Sequence, residues 1–77
     1  MKTAKAMFEE LGYKLISYGE DIIFTKEFER ATVELYFDIY SKTLVIQSNK
    51  DIVFEFNIEE LKSINQQIKE LGWGDVE

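Results

Sequence analysis

A chain of 77 residues fits one domain, residues 1–77, and its 45% hydrophobic and 14% aromatic content indicates a folded core. It has neither cysteine nor histidine, which excludes disulfides, thiolate zinc sites and the usual Cys and Ser–His nucleophiles. The net charge is −6, from 15 acidic and 9 scattered basic residues, and this argues against binding to the phosphate backbone of nucleic acids.

The first predicted element is a short helix from about Thr3 to Leu11. Its apolar residues recur at helical spacing, at Ala4, Met7, Phe8 and Leu11. Gly12 follows directly, and glycine commonly ends a helix because it adopts the left-handed conformation without a Cβ clash. A helix of this length is marginal alone, so we expect tertiary packing to hold it.

The middle of the chain, from Tyr13 to Asn57, is typical of β-strands. It is rich in β-branched and aromatic residues that alternate with polar ones. Turn residues divide it into up to five short strands, at about 13–18, 21–28, 32–40, 43–48 and 52–56. Connections this short favour antiparallel neighbours, and therefore a meander.

The alternation also predicts which side chains face the core. These are Leu15, Ile22, Phe24, Phe37, Ile39, Leu44, Ile46, Phe54 and Phe56. The cross-strand pairs that follow from the turn lengths include Ser17 with Ile22, Phe28 with Val33, and Ile39 with Leu44. Lys26 also falls on the core face, against the pattern.

A second, longer helix follows Asn57. Asn57 is a good N-cap, and Glu60 three residues later completes a capping-box pattern. Gly72 is expected to end the helix. The apolar stripe consists of Ile58, Leu61, Ile64, Ile68 and Leu71.

The sequence therefore predicts an α+β fold: an antiparallel β-meander of 4–5 strands, flanked by a short N-terminal helix and a longer C-terminal helix. The pattern leaves open whether the helices share one sheet face or cover both. Packing of both helices on one face is the arrangement we expect.

Carboxylates are the remaining candidates for chemistry. Glu9-Glu10 and Glu59-Glu60 are adjacent in helices, so the members of each pair diverge. Glu27, Glu34 and Asp38 share the outer face of the predicted sheet, where a hard cation could bind, but no loop has the ligand spacing of an EF-hand. We therefore expect no cofactor, no metal and no enzymatic activity.

The outer face of the predicted sheet carries the candidate interaction residues. These are Ile16, Tyr18, Ile23, Tyr36, Tyr40, Val45 and Val53. Exposed tyrosine and aliphatic side chains on a rigid sheet are typical of a protein interface. The same pattern is also compatible with the general preference of strands for such residues, and with a helix that covers this face.

The chain resembles small proteins encoded by phages and prophages of Gram-positive bacteria, a group of uncharacterised function. The residues that carry the resemblance are 7–13 (MFEELGY), 22–24 (IIF), 58–61 (IEEL) and 70–73 (ELGW). The resemblance spans most of the chain and brings no catalytic or ligand residues. It implies an accessory or interaction role.

These observations predict a non-enzymatic protein–protein interaction or accessory module, which binds a protein partner or associates with itself. One alternative is an acidic inhibitor or nucleic-acid mimic that binds a basic partner. Another is a carboxylate- or metal-dependent enzyme. We expect no nucleic-acid or membrane partner and a cytoplasmic location, because no stretch approaches the ~20 apolar residues of a membrane span.

Overall fold

The computed structural model describes residues 2–51 and 53–73. In chain order its elements are α1 (Ala4–Glu10), β1 (Lys14–Tyr18), β2 (Asp21–Phe28), β3 (Ala31–Asp38), β4 (Thr43–Ser48) and α2 (Ile58–Glu70). The strands form one antiparallel sheet in the order β1-β2-β3-β4. The predicted α+β meander with a short N-terminal and a longer C-terminal helix is therefore confirmed.

The predicted fifth strand is wrong for the residues described, because 53–56 form no strand. Ile52, which belonged to the same prediction, lies outside the described residues. Phe54 and Phe56 pack against the core instead, and the Phe54 ring lies 5.2 Å from that of Phe28 at the end of β2. Both side chains are partly buried, so each gains part of the roughly 1.5–3 kcal/mol that full burial of a phenylalanine provides. The segment packs against the core, and β4 is left at the edge of the sheet.

Two predicted cross-strand pairs are wrong by two residues. Phe37, and not Ile39, lies opposite Leu44, because residues 39–42 form a turn in which Lys42 has a φ of 58°. Phe28 pairs with Ala31 across a turn at residues 29–30. A shift of two residues keeps every side chain on its predicted face, so these shifts leave the predicted core face unchanged.

The core lies on one face of the sheet, which we call the inner face. Its fully buried side chains are Ala4, Phe8, Tyr13, Ile22, Phe24, Val33, Leu35 and Phe37. The Phe8 ring of α1 stacks on Phe24 of β2 with ring centroids 4.2 Å apart. Ile46, which was predicted to be in the core, is 48% exposed because β4 is an edge strand.

Both helices lie on the inner face. Phe8 brings α1 onto β2, and Ile64 of α2 packs against the same core. Trp73, three residues after the end of α2, places its ring 6.2 Å from that of Phe37 in β3. The two helices also contact each other, and the Ala4 N–H donates to Glu70 Oε2 at 2.7 Å. The expectation that the helices share one face is therefore confirmed.

The N-terminus of α2 forms the predicted capping box. Asn57 Oδ1 accepts from the Glu60 N–H at 3.1 Å, and Glu60 Oε1 accepts from the Asn57 N–H at 2.9 Å. The predicted apolar stripe is only partly inward, because Ile58 and Leu61 are at least half exposed. Glu60 is buried instead. The Tyr13 hydroxyl donates a hydrogen bond of 2.7 Å to its carboxylate and so offsets the cost of burying it.

No helix in the described part of the chain combines the length and the apolar content needed to cross a membrane.

Candidate functional site

The sheet face opposite the helices, which we call the outer face, is the candidate site. Alternation along the strands places its side chains there. Its members are Lys14, Ile16 and Ser17 on β1; Asp21, Ile23, Thr25 and Glu27 on β2; Thr32, Glu34, Tyr36 and Asp38 on β3; and Thr43, Val45 and Gln47 on β4. None of the helices formed by the described residues covers this face, since both pack on the inner one.

The outer face has an apolar centre. Ile23, Tyr36 and Val45 are cross-strand partners and form one row, which we call the apolar row. Ile23 and Tyr36 are half-buried by their neighbours, and Val45 is 41% exposed at the sheet edge. The row spans three strands, so its shape is fixed by main-chain pairing.

Acidic residues lie on both sides of the apolar row. One neighbouring row pairs Asp21 with Asp38, and the other contains Glu34 between Thr25 and Gln47. Like charges directly opposite each other repel, so the Asp21–Asp38 pair costs stability unless a cation approaches. The face therefore presents a negative potential around an apolar strip.

Three of the predicted residues, Ile23, Tyr36 and Val45, come together in the apolar row, and Ile16 lies beside it. Ile16 is the extra residue of a β-bulge, which sets Ser17 opposite Ile23, so the predicted pair of Ser17 with Ile22 is wrong by one residue. The same bulge sets Tyr18 opposite Ile22, an inner-face residue, so the placement of Tyr18 on the outer face is wrong. Alternation alone cannot reveal an inserted residue.

Tyr40 and Val53 also lie outside the sheet face. Tyr40 belongs to the turn after β3, where its N–H donates to Asp38 Oδ1 at 3.0 Å. Val53 precedes α2 in the segment that forms no strand, and it is almost fully exposed. Their predicted positions depended on a longer β3 and on a fifth strand, neither of which forms in the described residues.

Asp21 is a site residue that the sequence prediction missed. The Tyr36 hydroxyl donates to Asp21 Oδ2 at 2.8 Å, and this hydrogen bond to a carboxylate, helped by partial desolvation, raises the pKa of Tyr36 above its ordinary value. The bond holds the ring of Tyr36 in the centre of the face. Counting two residues back from Ile23 along the alternating strand would have found it.

The acidic groups of the outer face form no ion pair within residues 2–51 and 53–73. The ion pairs found there are Lys2–Glu10, Lys5–Glu9 and Lys62–Glu59, all at or beside the helices. On the outer face, Lys14 is the one basic residue against Asp21, Glu27, Glu34 and Asp38. The carboxylates of the outer face can therefore form ion pairs with a basic group from another molecule.

Lys26 occupies the inner face, where the alternation placed it. Its Nζ lies 5.2 Å from the ring centroid of Tyr13 and 4.8 Å from that of Phe28. Burial of Tyr13 and its hydrogen bond to Glu60 both raise the pKa of the Tyr13 hydroxyl. The positive charge of Lys26 is stabilised by its cation–π contacts with Tyr13 and Phe28. Lys26 and these two rings are therefore part of the core packing.

The described residues contain no group of three Asp, Glu, His or Cys side chains placed to hold a metal ion. Glu34 and Asp38 lie in different rows of the sheet, on opposite sides of Tyr36. A cavity of about 790 Å³ opens at the β2–β3 turn, lined by Glu27, Phe28, Glu29, Arg30, Val53, Phe54 and Glu55. Its lining contains no serine or threonine, and its carboxylates are those of Glu27, Glu29 and Glu55.

Comparison of the chain with protein-family models, with curated proteins and with solved structures finds no match.

Proposed function

We propose that this chain is a non-enzymatic protein-interaction module whose outer face binds a basic protein segment. The observation that carries the proposal is the apolar row of Ile23, Tyr36 and Val45, which lies on the sheet face that the helices leave open. A protein segment that covers this row removes tyrosine and aliphatic surface from water, which is the main favourable term in association.

Charge identifies the kind of partner. The acidic residues beside the apolar row have no ion-pair partner among the described residues, and the whole chain carries a charge of −6. A partner with arginine or lysine flanking an apolar side chain matches both features. Two copies meeting outer face to outer face would instead bring like charges together.

The acidic-inhibitor alternative also uses a basic partner, and it differs in the source of affinity. An inhibitor or nucleic-acid mimic depends on charge, so its binding weakens steeply with salt. Binding centred on the apolar row retains most of its affinity at high salt. The resemblance to phage and prophage proteins implies an accessory or interaction role, and both this resemblance and the cytoplasmic location stay predictions.

Selection of peptides from a random display library tests the proposal. Immobilised wild-type protein should enrich peptides that combine arginine or lysine with aromatic or aliphatic residues. Tyr36→Asp should lose this enrichment, because it places a charge in the centre of the apolar row. Ile58→Asp is the matched control, since it adds the same charge at an exposed apolar residue on the helical side, and it should select as the wild type does.

Circular dichroism should show that both variants are folded. Peptides that bind Tyr36→Asp and the wild type equally well would contradict the assignment of the outer face. Enrichment of neutral or acidic peptides would contradict the charge argument.

A further inference from the structure

The two edges of the sheet differ in how they are protected. Edge strand β1 begins with Lys14 and contains the bulge at Ile16, and both features discourage pairing with another strand. Edge strand β4, Thr43–Ser48, has no charged residue, although 31% of the chain is charged. Its Val45 and Ile46 are 41% and 48% exposed. No strand of the described residues pairs with the outward side of β4, so this edge can accept another strand.

The main-chain groups of β4 indicate which residues face outward. The Asn49 N–H donates to the Thr32 carbonyl at 3.2 Å, so Thr32 and Asn49 are a hydrogen-bonded pair. Hydrogen-bonded and non-hydrogen-bonded pairs alternate along an antiparallel ladder. Leu44, Ile46 and Ser48 therefore direct their N–H and C=O groups away from β3, toward the free edge.

Apolar side chains extend this edge into the helical layer. Glu59 and Ser63 of α2 line a cavity with Met7 and Leu11, on the side of α1. Leu61, two residues after Glu59, lies about 200° around the helix from it, on the flank away from α1. Leu61 is 50% exposed there, and because α1 lies beside β1, this flank is on the β4 side of the molecule.

We propose that a second copy of this chain pairs with β4, antiparallel and about a two-fold axis perpendicular to the sheet. Val45 then lies opposite Val45 of the second copy, and Leu44 lies opposite its Ile46. Leu44 and Ile46 both carry outward main-chain groups, so each Leu44–Ile46 pair exchanges two hydrogen bonds. The two sheets join into one, with both helical layers on the same side.

Charge selects this register over its neighbour. In a register centred on Ile46, Lys42 would approach Lys50 of the second copy, and like charges in opposed positions are destabilising. In the register centred on Val45, Lys42 lies opposite Ser48. The apolar row also becomes continuous across the axis, since Val45 is its last member at the β4 edge.

A second copy fits this edge for two reasons. The two-fold axis places inner-face residues beside inner-face residues, so Leu44, Ile46 and Leu61 of each copy add to one apolar layer. Chains that each carry a charge of −6 repel, and β4 is a strand along which they can approach without opposing carboxylates. Association at β4 uses main-chain groups of the sheet edge, whereas the basic partner covers the outer face, and Val45 is the one residue of the apolar row that lies at both.

Light scattering over a concentration series measures the association. The wild-type protein should have twice the 9.1 kDa mass of one chain. Ile46→Lys should give a single-chain mass, because it adds the edge lysine that β4 lacks. Ile16→Lys makes the same change on edge strand β1 and should remain a dimer. A wild-type protein of single-chain mass at millimolar concentration would overturn the proposal, even if it still binds basic peptides.

A cross-link tests the register without a disruptive side chain. The chain has no cysteine, so Val45→Cys introduces a single thiol on each side of the axis. Cα atoms of a non-hydrogen-bonded pair lie about 4.5 Å apart, within the ~4.4–6.8 Å that a disulfide spans. Oxidation should yield a covalent dimer.

Gln47→Cys is the control for the cross-link. In the proposed register Gln47 lies opposite Thr43, and the two introduced thiols are displaced by roughly 13 Å along the strands. It should remain a single chain on oxidation under the same conditions. Equal cross-linking of the two variants, or none with Val45→Cys, would overturn the proposed pairing.

Discussion

Tyr13 shows how one side chain ties α2 to the meander. It is fully buried, its ring meets that of Phe8 edge to face at 5.3 Å, and its hydroxyl donates to the buried Glu60. The accepting carboxylate also closes the capping box of α2. A single residue before β1 thus supports both the core and the start of a distant helix.

Tyr13→Phe should therefore destabilise the protein. The substitution keeps the ring but leaves one carboxylate oxygen of Glu60 buried without its donor, which costs about 1–3 kcal/mol of unfolding free energy. Urea denaturation measures this change. Tyr18→Phe removes a hydroxyl from a side chain that is 77% exposed, and it should change the unfolding free energy by less than about 0.5 kcal/mol. Equal effects would contradict the role of the buried bond.

Tyr36 should give the protein an alkaline pH dependence. Its hydrogen bond to Asp21 raises its pKa in the folded state above the ordinary 10.0, and Tyr13 shifts in the same direction. Above about pH 10 the unfolded chain then binds fewer protons than the folded one. The contribution of these tyrosines to the unfolding free energy is therefore full below this pH and decreases as the pH rises further.

Ultraviolet titration of tyrosinate absorbance tests this shift. Asp21→Asn removes the negative charge that opposes ionisation, so Tyr36 should ionise at lower pH in this variant than in the wild type. Glu34→Gln removes a charge from the same strand face without a hydrogen bond to Tyr36, and serves as the control. An unchanged tyrosine titration in Asp21→Asn would contradict the assigned hydrogen bond.

The apolar row could be predicted from the sequence, but its surroundings could not. Ile23, Tyr36 and Val45 lie in regularly alternating strands, so their common face follows from period two alone. Tyr18 follows a bulge, whose inserted residue leaves no signal in the pattern. Alternation predicts the face of a residue only where the strand has no inserted residue between it and the residues whose face is known.

At the scale of elements, helix ends were more predictable than turns. Asn57, Glu60 and Gly72 act through local chemistry: a side-chain cap, its reciprocal partner, and a left-handed residue with a φ of 77°. Turn lengths depend on how the sheet as a whole packs. The turn at 39–42 uses Lys42 in the left-handed conformation, which the sequence does not indicate.

The capping box of α2 gives a prediction at this scale. Asn57→Ala removes the acceptor of the Glu60 N–H and should cost about 0.5–2 kcal/mol of unfolding free energy. Asn65→Ala makes the same substitution at an exposed position within α2 and should be neutral or slightly stabilising, because alanine is the better helix former. Thermal or urea unfolding of the pair measures the difference, and equal losses would contradict the cap.

At the scale of the whole molecule, both helices lie on one side of the sheet, and no helix of residues 2–51 and 53–73 lies on the other. The sequence favoured this arrangement because α1 and α2 each have an apolar stripe, and each stripe has to be buried against the sheet. It did not reveal that β4 is an edge, since residues 52–56 have the composition of a strand. Phe54 and Phe56 pack on the core instead of pairing with β4. The alternation of residues along a segment does not predict contacts with residues distant in the chain.

The contact between Ala4 and Glu70 joins residues 66 positions apart, and this has a consequence for the order of folding. Each strand of the meander pairs with its neighbour in the chain, through turns as short as residues 29–30. The entropic cost of closing a loop grows with its length, roughly as (3/2)RT ln n, and favours such local contacts first. We therefore expect the meander to form ahead of the helical layer, which is completed only when α2 returns to α1.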